Sequence, residues 1–364
     1  MTDDRYEVKD KIGQGGLGAV YRAYDKRLNR EVAIKRVLPE GGFDSQDEAI
    51  ERFLKEATAL SSIQHPHIVT IYDAAVDDDG PYVVMELLTG RTIDQMVERG
   101  TLTYEDFREV AIQTQEALIA AQELNLVHRD LKPANLMVVW LPSGKFQVKL
   151  VDFGLAKFSA KPSVQTIDHG DAVFGSVHFM APEQFERTAL DQRTDMYAMG
   201  CLYYYTLTGS YPFTGDTAPQ VMSAHLKHTV IDLKEVRPDL PAWACDWVMW
   251  HLNRSMDDRP QDARESLQNF IMNDQQAPAD AAAAPPGGAN RPKFVFPEAG
   301  QGGESPAAPG TGPVPVVAAA DSRVTPTTAP QPLEPPEGQK PSVHTTTHVT
   351  ASAEPEEAAP PPAP

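Results

Sequence analysis

The stretch LVHRDLKPANLMVV, residues 126–139, crowds Arg129, Asp130, Lys132 and Asn135 around Pro133. A solvated loop can carry such residues by chance, so their meaning depends on what stands elsewhere in the chain. A helical pattern precedes the stretch and a short strand pattern follows it, which anchors the polar cluster on a loop at both ends. Seventeen residues after Asn135 comes Asp152, in KLVDFG, where an apolar strand pattern ends on an acid. Asn135 and Asp152 offer hard oxygens of the kind magnesium accepts beside nucleotide phosphates. Asp130 can accept a hydroxyl proton, and Lys132 can neutralise charge on a transferring phosphoryl group.

Working outward, the first third of the chain alternates like a small antiparallel sheet. Residues 6–12, 19–25, 31–37, 68–76 and 81–88 are short, β-branched or aromatic runs separated by Gly, Asn or Asp. Between the third and fourth runs, Ile50, Phe53, Leu54, Ala57 and Leu60 make one apolar stripe of a helix. Beyond Thr92 the pattern turns helical over 103–124, 191–208, 218–227, 241–253 and 260–272, interrupted by strand patterns at 136–139 and 146–151. The expected fold is α+β and two-lobed. A five-stranded sheet with one helix is joined near residues 86–90 to a mainly helical lobe, and a ligand is expected in the cleft between them.

Two further features sharpen that expectation. Gly13, Gly15 and Gly18 form G-x-G-x-x-G, which also opens dinucleotide-binding units. There a helix would follow; here a strand pattern follows, so the glycines sit in a hairpin whose backbone N–H groups can lie close over phosphates. In VAIK, Lys35 stands in an apolar strand, where a lysine is costly unless paired. Glu56, beside the helix stripe, is the partner expected to face the sheet.

Taken in order, the chain carries a Gly-rich hairpin, a strand Lys, a helix Glu, H-R-D-L-x-x-x-N, D-F-G and A-P-E. Together they resemble the eukaryotic-type serine/threonine protein kinases, most closely the bacterial members, over residues 6–272. The resemblance implies the two-lobed kinase fold, with an N-lobe of about residues 1–87 and a C-lobe of about 88–272. It implies transfer of the γ-phosphate of magnesium- or manganese-bound ATP to Ser or Thr hydroxyls of proteins. Ile12 and the loop Gly13, Gln14, Gly15, Gly16, Leu17 and Gly18 would bind ATP, the loop covering its phosphates. Val20, Ala33 and Met137 would sandwich the adenine. Met85 would be the gatekeeper, and Glu86 to Leu88 the hinge. Lys35 would hold the α- and β-phosphates, fixed by Glu56, and Asn135 and Asp152 would ligate the metal. Asp130 would orient the hydroxyl and act as base, with Lys132 on the γ-phosphate. Leu60, Ile71, His128 and Phe153 would stack as a column tied to Asp195, and Glu183 would pair with Arg259.

Two departures from the family pattern stand in the activation loop, between Asp152 and Glu183. In GSVHFMAPE, Ser176 replaces the usual Thr and Phe179 the usual Tyr, but Ser176 keeps a hydroxyl able to bond Asp130 and Lys132. Ala172 occupies the position where many relatives carry a phosphorylated Thr, although Arg129 and Lys157, which would hold that phosphate, are both present. Autophosphorylation is therefore expected at Ser163 or Thr166, with Ser176 as a further candidate. Asp168 and Asp171 are the alternative, as fixed negative charges weaker than a phosphate. A transient homodimer would serve phosphorylation in trans.

Composition bounds the rest. From about Asn273 the sequence is Pro, Ala, Gly, Ser and Thr, with 20 of the 32 prolines, and is expected to be a disordered tail, residues 273–364. The formal charge is −19; ten acids and four bases in the tail account for −6 and leave −13 on residues 1–272. Such a surface argues against nucleic-acid binding, which needs phosphate neutralisation by Lys and Arg. Cys201 and Cys245 are expected to be buried thiols in a reducing cytoplasm, and no run approaches the roughly 18 apolar residues of a membrane span. Trp243, Trp247 and Trp250, at helical spacing, are expected in a core, and His65 and His67 in a structural turn.

Overall fold

The period-2 runs of the first third form a single antiparallel sheet. The computed structural model describes residues 5–15, 18–37, 46–153 and 175–276. In it β1 (Tyr6–Gly15), β2 (Gly18–Asp25), β3 (Arg30–Val37), β4 (Ile71–Asp77) and β5 (Gly80–Glu86) lie in the order β1-β2-β3-β5-β4. Alternation gives the sheet two faces. Ala33, Val83 and Met85 point inward onto Phe53 and Ala57 of α1 (Gln46–Ser61). Val32, Ile34, Tyr82 and Val84 point outward, where Tyr6 and Ala23 join them. Arginines roof that outer layer: the Arg30 guanidinium lies 3.5 Å from the Tyr72 ring centre, and Arg5 and Arg36 lie over Tyr6 and Tyr82. Their apolar stems cover surface while their charges reach water.

Past the hinge, β6 (Arg91–Thr92) pairs with β7 (Leu136–Trp140), which pairs with β8 (Phe146–Leu150). Gly90 precedes that pairing because nothing larger fits. A Cβ there would fall 2.2 Å from the Val138 carbonyl oxygen. The helices are α2 (Ile93–Val97), α3 (Tyr104–Gln122), α4 (Pro182–Glu186), α5 (Gln192–Thr208), α6 (Ala218–Lys227), α7 (Leu233–Val236), α8 (Ala242–His251) and α9 (Ala263–Gln276). Side-chain caps start several of them: Thr103 accepts from the Asp106 N–H, and Asp191 from the Arg193 N–H. Phe107, Tyr203, Trp247 and Phe270 meet edge-on or tilted at the centre of this lobe, with ring centres 4.8–6.3 Å apart. Trp247 is thus a core residue as expected, while Trp243 and Trp250 pack half-buried around it.

Two boundaries differ from the sequence reading, each for a visible reason. β4 begins at Ile71, not at 68, because the preceding residues bond to β8 instead. Leu150 N donates to His67 O and Val69 N to Leu150 O, both at 2.9 Å. The last helix begins at Ala263 and runs past the expected end at 272, to Gln276. Asp274 holds that final turn, accepting from Tyr104 Oη and Arg108 Nε, each at 2.7 Å. The change in composition at Asn273 therefore falls inside a helix. Residues 277–364 lie outside the described residues. Short elements without a full apolar stripe (β6, α2, α4 and α7) escaped the periodicity reading altogether. No described helix is long and apolar enough to cross a membrane.

Candidate active site

Register sets the cleft face of the small lobe. Val20 lies opposite Lys35 across β2 and β3, and Ala33 opposite Met85 across β3 and β5. Val20, Ala33 and Lys35 therefore point the same way, with Met85 beside them. The glycine stretch is the expected hairpin: Gly13 pairs with Val20, Gln14 with Ala19 and Gly15 with Gly18. Ile12 and Gln14 are exposed on β1, while Gly16 and Leu17 lie outside the described residues. Lys35 is buried, and its Nζ lies 2.8 Å from Asp152 Oδ2. Glu56 is on α1 as expected, but its side chain lies outside the described residues.

The polar loop of the opening stretch converges as its spacing suggested. Lys132 Nζ donates to Asp130 Oδ2 at 2.9 Å and to Ser176 Oγ at 3.0 Å. Asn135 closes the 3-10 turn Pro133–Asn135 and donates Nδ2 to the Asp130 carbonyl at 2.7 Å. That bond fixes the amide and leaves Asn135 Oδ1 without a partner among the described residues. Asp152 lies close by, because Val151 N donates to Asn135 O at 2.9 Å.

Two residues here adopt left-handed backbone, Arg129 at φ 67° and Asp152 at φ 65°. Such conformations cost a non-glycine residue energy and need support from their surroundings. For Arg129 the support is Asp195 on α5. Its Oδ1 accepts from Arg129 N at 2.8 Å, and its Oδ2 from His128 N at 2.7 Å. Burial pushes the Asp195 carboxyl up, and His128, Arg129 and their two N–H groups pull it back. His128 Nε2 meets Val151 O at 3.2 Å while Nδ1 accepts from Asp130 N, which places the ring hydrogen on Nε2. The His128 ring packs on Phe153, with centres 4.5 Å apart. Phe153, Ile71 and Leu60 line one small cavity with Met85 and Asp152, so the expected column is assembled.

The hinge carries one contact the sequence reading missed. Lys149 on β8 is buried, and its Nζ lies 2.8 Å from Glu86 Oε2. Glu86 N also donates to Thr70 O at 2.9 Å, whereas Leu88 N has no acceptor among the described residues. Met137, half-buried, sits opposite Lys149 across β7 and β8. The signal for Lys149 was in the sequence. A lysine inside FQVKL needs a buried acid by the argument applied to Lys35. Gln184, whose Nε2 donates to the Arg129 carbonyl at 3.1 Å, was also missed.

Glu183 and Arg259 form the expected pair. It is bidentate, at 2.8 and 3.0 Å, and fully buried. Arg129 Nε is buried without a partner among the described residues. Ser163, Thr166, Lys157, Asp168, Asp171 and Ala172 lie outside the described residues, whereas Ser176 is described, beside Lys132. Cys201 and Cys245 are buried free thiols. Among the described residues no group of three His, Cys, Asp or Glu could hold a metal by itself. One carboxylate and one amide suit magnesium, which takes its remaining ligands from phosphate and water.

Residues 6–271 match the family described as the protein kinase domain. The serine/threonine-protein kinase PrkC of Bacillus subtilis is 36% identical over 238 residues, covering 65% of this chain and 35% of that protein. The serine/threonine-protein kinase PknB of Mycobacterium tuberculosis is 32% identical over 283 residues, covering 76% of this chain and 44% of that protein. The chain thus spans less than half the length of these curated relatives. Among solved structures, Rad53 1-466 in complex with AMP-PNP superposes with a TM-score of 0.60 at 25% identity, covering 73% of this chain and 65% of that one. The family match runs through nearly all of the described fold, and relatives more than 30% identical carry the same name, so this chain belongs to the eukaryotic-type serine/threonine protein kinase family.

Proposed function

We propose that the chain is the catalytic domain, residues 1–272 extended by the last turn of α9, of an ATP-dependent protein serine/threonine kinase, followed by a Pro/Ala-rich tail. The carrying observation is Lys132 bonded at once to the Asp130 carboxylate and the Ser176 hydroxyl. A hydroxyl and an acid able to take a proton are each within hydrogen-bond reach of one cation able to meet a phosphoryl group. Asp130 orients the acceptor hydroxyl and takes its proton, while Lys132 offsets charge on the transferring group. Lys35 meets the α- and β-phosphates, with Asp152 2.8 Å from its Nζ, and Glu56 would be the residue that fixes it. Asn135 Oδ1 and Asp152 would hold magnesium, which when bound neutralises phosphate charge. Val20, Ala33, Met85 and Met137 enclose the adenine, and the Leu88 N–H, without an acceptor among the described residues, meets its edge.

Arg129 Nε, without a partner among the described residues, supports an anionic partner from the activation loop, a phosphate on Ser163 or Thr166 placed in trans by a transient homodimer. Buried free thiols support a reducing, cytoplasmic setting for this domain. The test is label transfer from ATP to a generic basic protein by the parent beside Asp130→Asn and Lys35→Met. Both variants should lose at least a hundredfold in kcat/KM. Transfer equal to the parent would overturn the assignments.

A further inference from the structure

The peptide group joining Arg129 to Asp130 leads into the Asp130 carboxylate, which Lys132 and Asn135 also bond at 2.9 and 3.3 Å, and it is held from both ends. Its N–H meets His128 Nδ1 at the long distance of 3.4 Å. Its carbonyl accepts from Gln184 Nε2 at 3.1 Å. The other end of the same amide, Gln184 Oε1, accepts from Ala181 N at 2.8 Å. Ala181 closes the segment that begins at Ser176, and Ser176 is tied to Asp130 through Lys132. The catalytic loop and segment 176–181 are therefore laced together twice, by Lys132 at the tip and by Gln184 at the base.

We propose that Gln184 is a positioning residue, a two-ended amide clamp that aligns the Asp130 carboxylate with the segment on which a protein substrate docks. Arg129 makes the clamp necessary. Its backbone is left-handed, its N–H is already committed to Asp195, and among the described residues the next peptide plane would keep, without Gln184, only the long His128 contact. Rotation of that plane swings the Asp130 side chain about its own backbone. Small errors in the placement of a reacting group cost large factors in rate. A rotated base loses kcat, whereas Val20, Ala33, Lys35, Met85 and Met137, which would hold ATP, lie on strands away from that peptide plane and are unchanged.

The inference rests on Asp130 being the base, and the variants separate the two claims. Gln184→Glu keeps the acceptor for Ala181 N–H but replaces the donor to the Arg129 carbonyl with a repelling oxygen. An acid in the first helical turn also favours the helix, so the variant keeps its fold. Gln184→Met removes both bonds at similar volume. The assay is steady-state phosphorylation of a protein substrate by full-length chain matched for its own phosphorylation, with thermal midpoints measured alongside. Both variants should lose about tenfold or more in kcat, with the KM for ATP within twofold of the parent. If Gln184 merely caps α4, Gln184→Glu will keep parental kcat and only Gln184→Met will fall, together with its thermal midpoint. That result overturns the clamp. Should Asp130→Asn retain activity, the base assignment fails instead, whatever the Gln184 variants do.

Discussion

Arg259→Met should unfold this domain far more easily than any surface substitution. Arg259 is fully buried and uses all five of its N–H groups. Two reach Glu183, at 2.8 and 3.0 Å, and three reach the carbonyls of Asn253, Arg193 and Arg254, at 2.7, 3.1 and 2.8 Å. Its guanidinium also lies 4.6 Å from the centre of the Tyr197 ring. A solvent-exposed ion pair is worth about 0–1 kcal/mol. Removing one member of a buried pair costs about 3–5 kcal/mol, because the other charge stays behind without water or partner. Here the orphan is Glu183, 4% exposed at its side chain, with three backbone carbonyls stranded beside it. At roughly 2–4 °C per kcal/mol for a domain of this size, the thermal midpoint should fall by about 10 °C.

The assay is equilibrium urea unfolding followed by tryptophan fluorescence. Trp140, Trp243, Trp247 and Trp250 all belong to the large lobe, so the signal reports the right body. Arg259→Lys should fall between the parent and Arg259→Met, since an ammonium supplies charge but neither the fork nor five donors. In a double-mutant cycle with Glu183→Gln the coupling should be about 2 kcal/mol or more. An Arg259→Met variant within 1 kcal/mol of the parent would refute the reasoning, for it would mean that the pair is hydrated in solution.

Two other outcomes follow from the same reasoning. Burial, with neighbouring His178, pushes the His225 imidazole down to about 3, and burial pushes His251 down to about 4, both below the usual 6.5. Groups depressed in this way contribute stability above pH 6.5 and lose it as pH falls towards their folded values. Each should therefore give up about 2 kcal/mol between pH 7.5 and pH 5. The urea midpoint measured over that range should drop accordingly, and a flat profile would count against the neutral, buried rings. At the hinge, Glu86→Ala should cost about 1–3 kcal/mol and Lys149→Met less, because the first strands a buried ammonium while the second leaves a carboxylate that is 29% exposed at its side chain. Equal losses in urea unfolding would show that the Lys149 ammonium reaches water.

The legible part of this molecule was the part written locally. The glycines read as a hairpin because a strand pattern follows them, and α1 read as a helix because Phe53, Ala57 and Leu60 share one stripe. Lys35 read as paired because a strand lysine must be. What escaped was set by contacts across the chain. Nothing near residue 68 says that its neighbours will bond to Leu150 and so delay β4 until Ile71. Nothing near Asn273 says that Tyr104 and Arg108 will hold Asp274 in a helix, against a composition that reads as tail. Lys149 is different in kind. Its burial is inferable from FQVKL, but its partner is 63 residues away on the hinge, where Glu86 serves both by its backbone and by its carboxylate.

Gln184 and Asp195 explain why the motif order alone cannot place Asp130, the proposed base. Every group that acts on substrate in the proposed mechanism stands at or before Asp152, yet the geometry of those groups is held from later in the chain. Arg129 at φ 67° is a strained residue, worth about 1–3 kcal/mol by itself. It persists because Asp195, buried at a cost visible in its raised carboxyl, spends both oxygens on the N–H groups of residues 128 and 129. Asp195 is carried by α5, whose Tyr203 packs against Phe107 and Trp247 in the lobe centre. The Arg193 carbonyl, two residues before Asp195, is in turn bonded by Arg259. The strain at the catalytic loop is therefore supported by the same packed core that sets the stability of the large lobe. Damage to that core reaches Asp130 through one helix and two hydrogen bonds, without any change in the residues proposed to touch substrate.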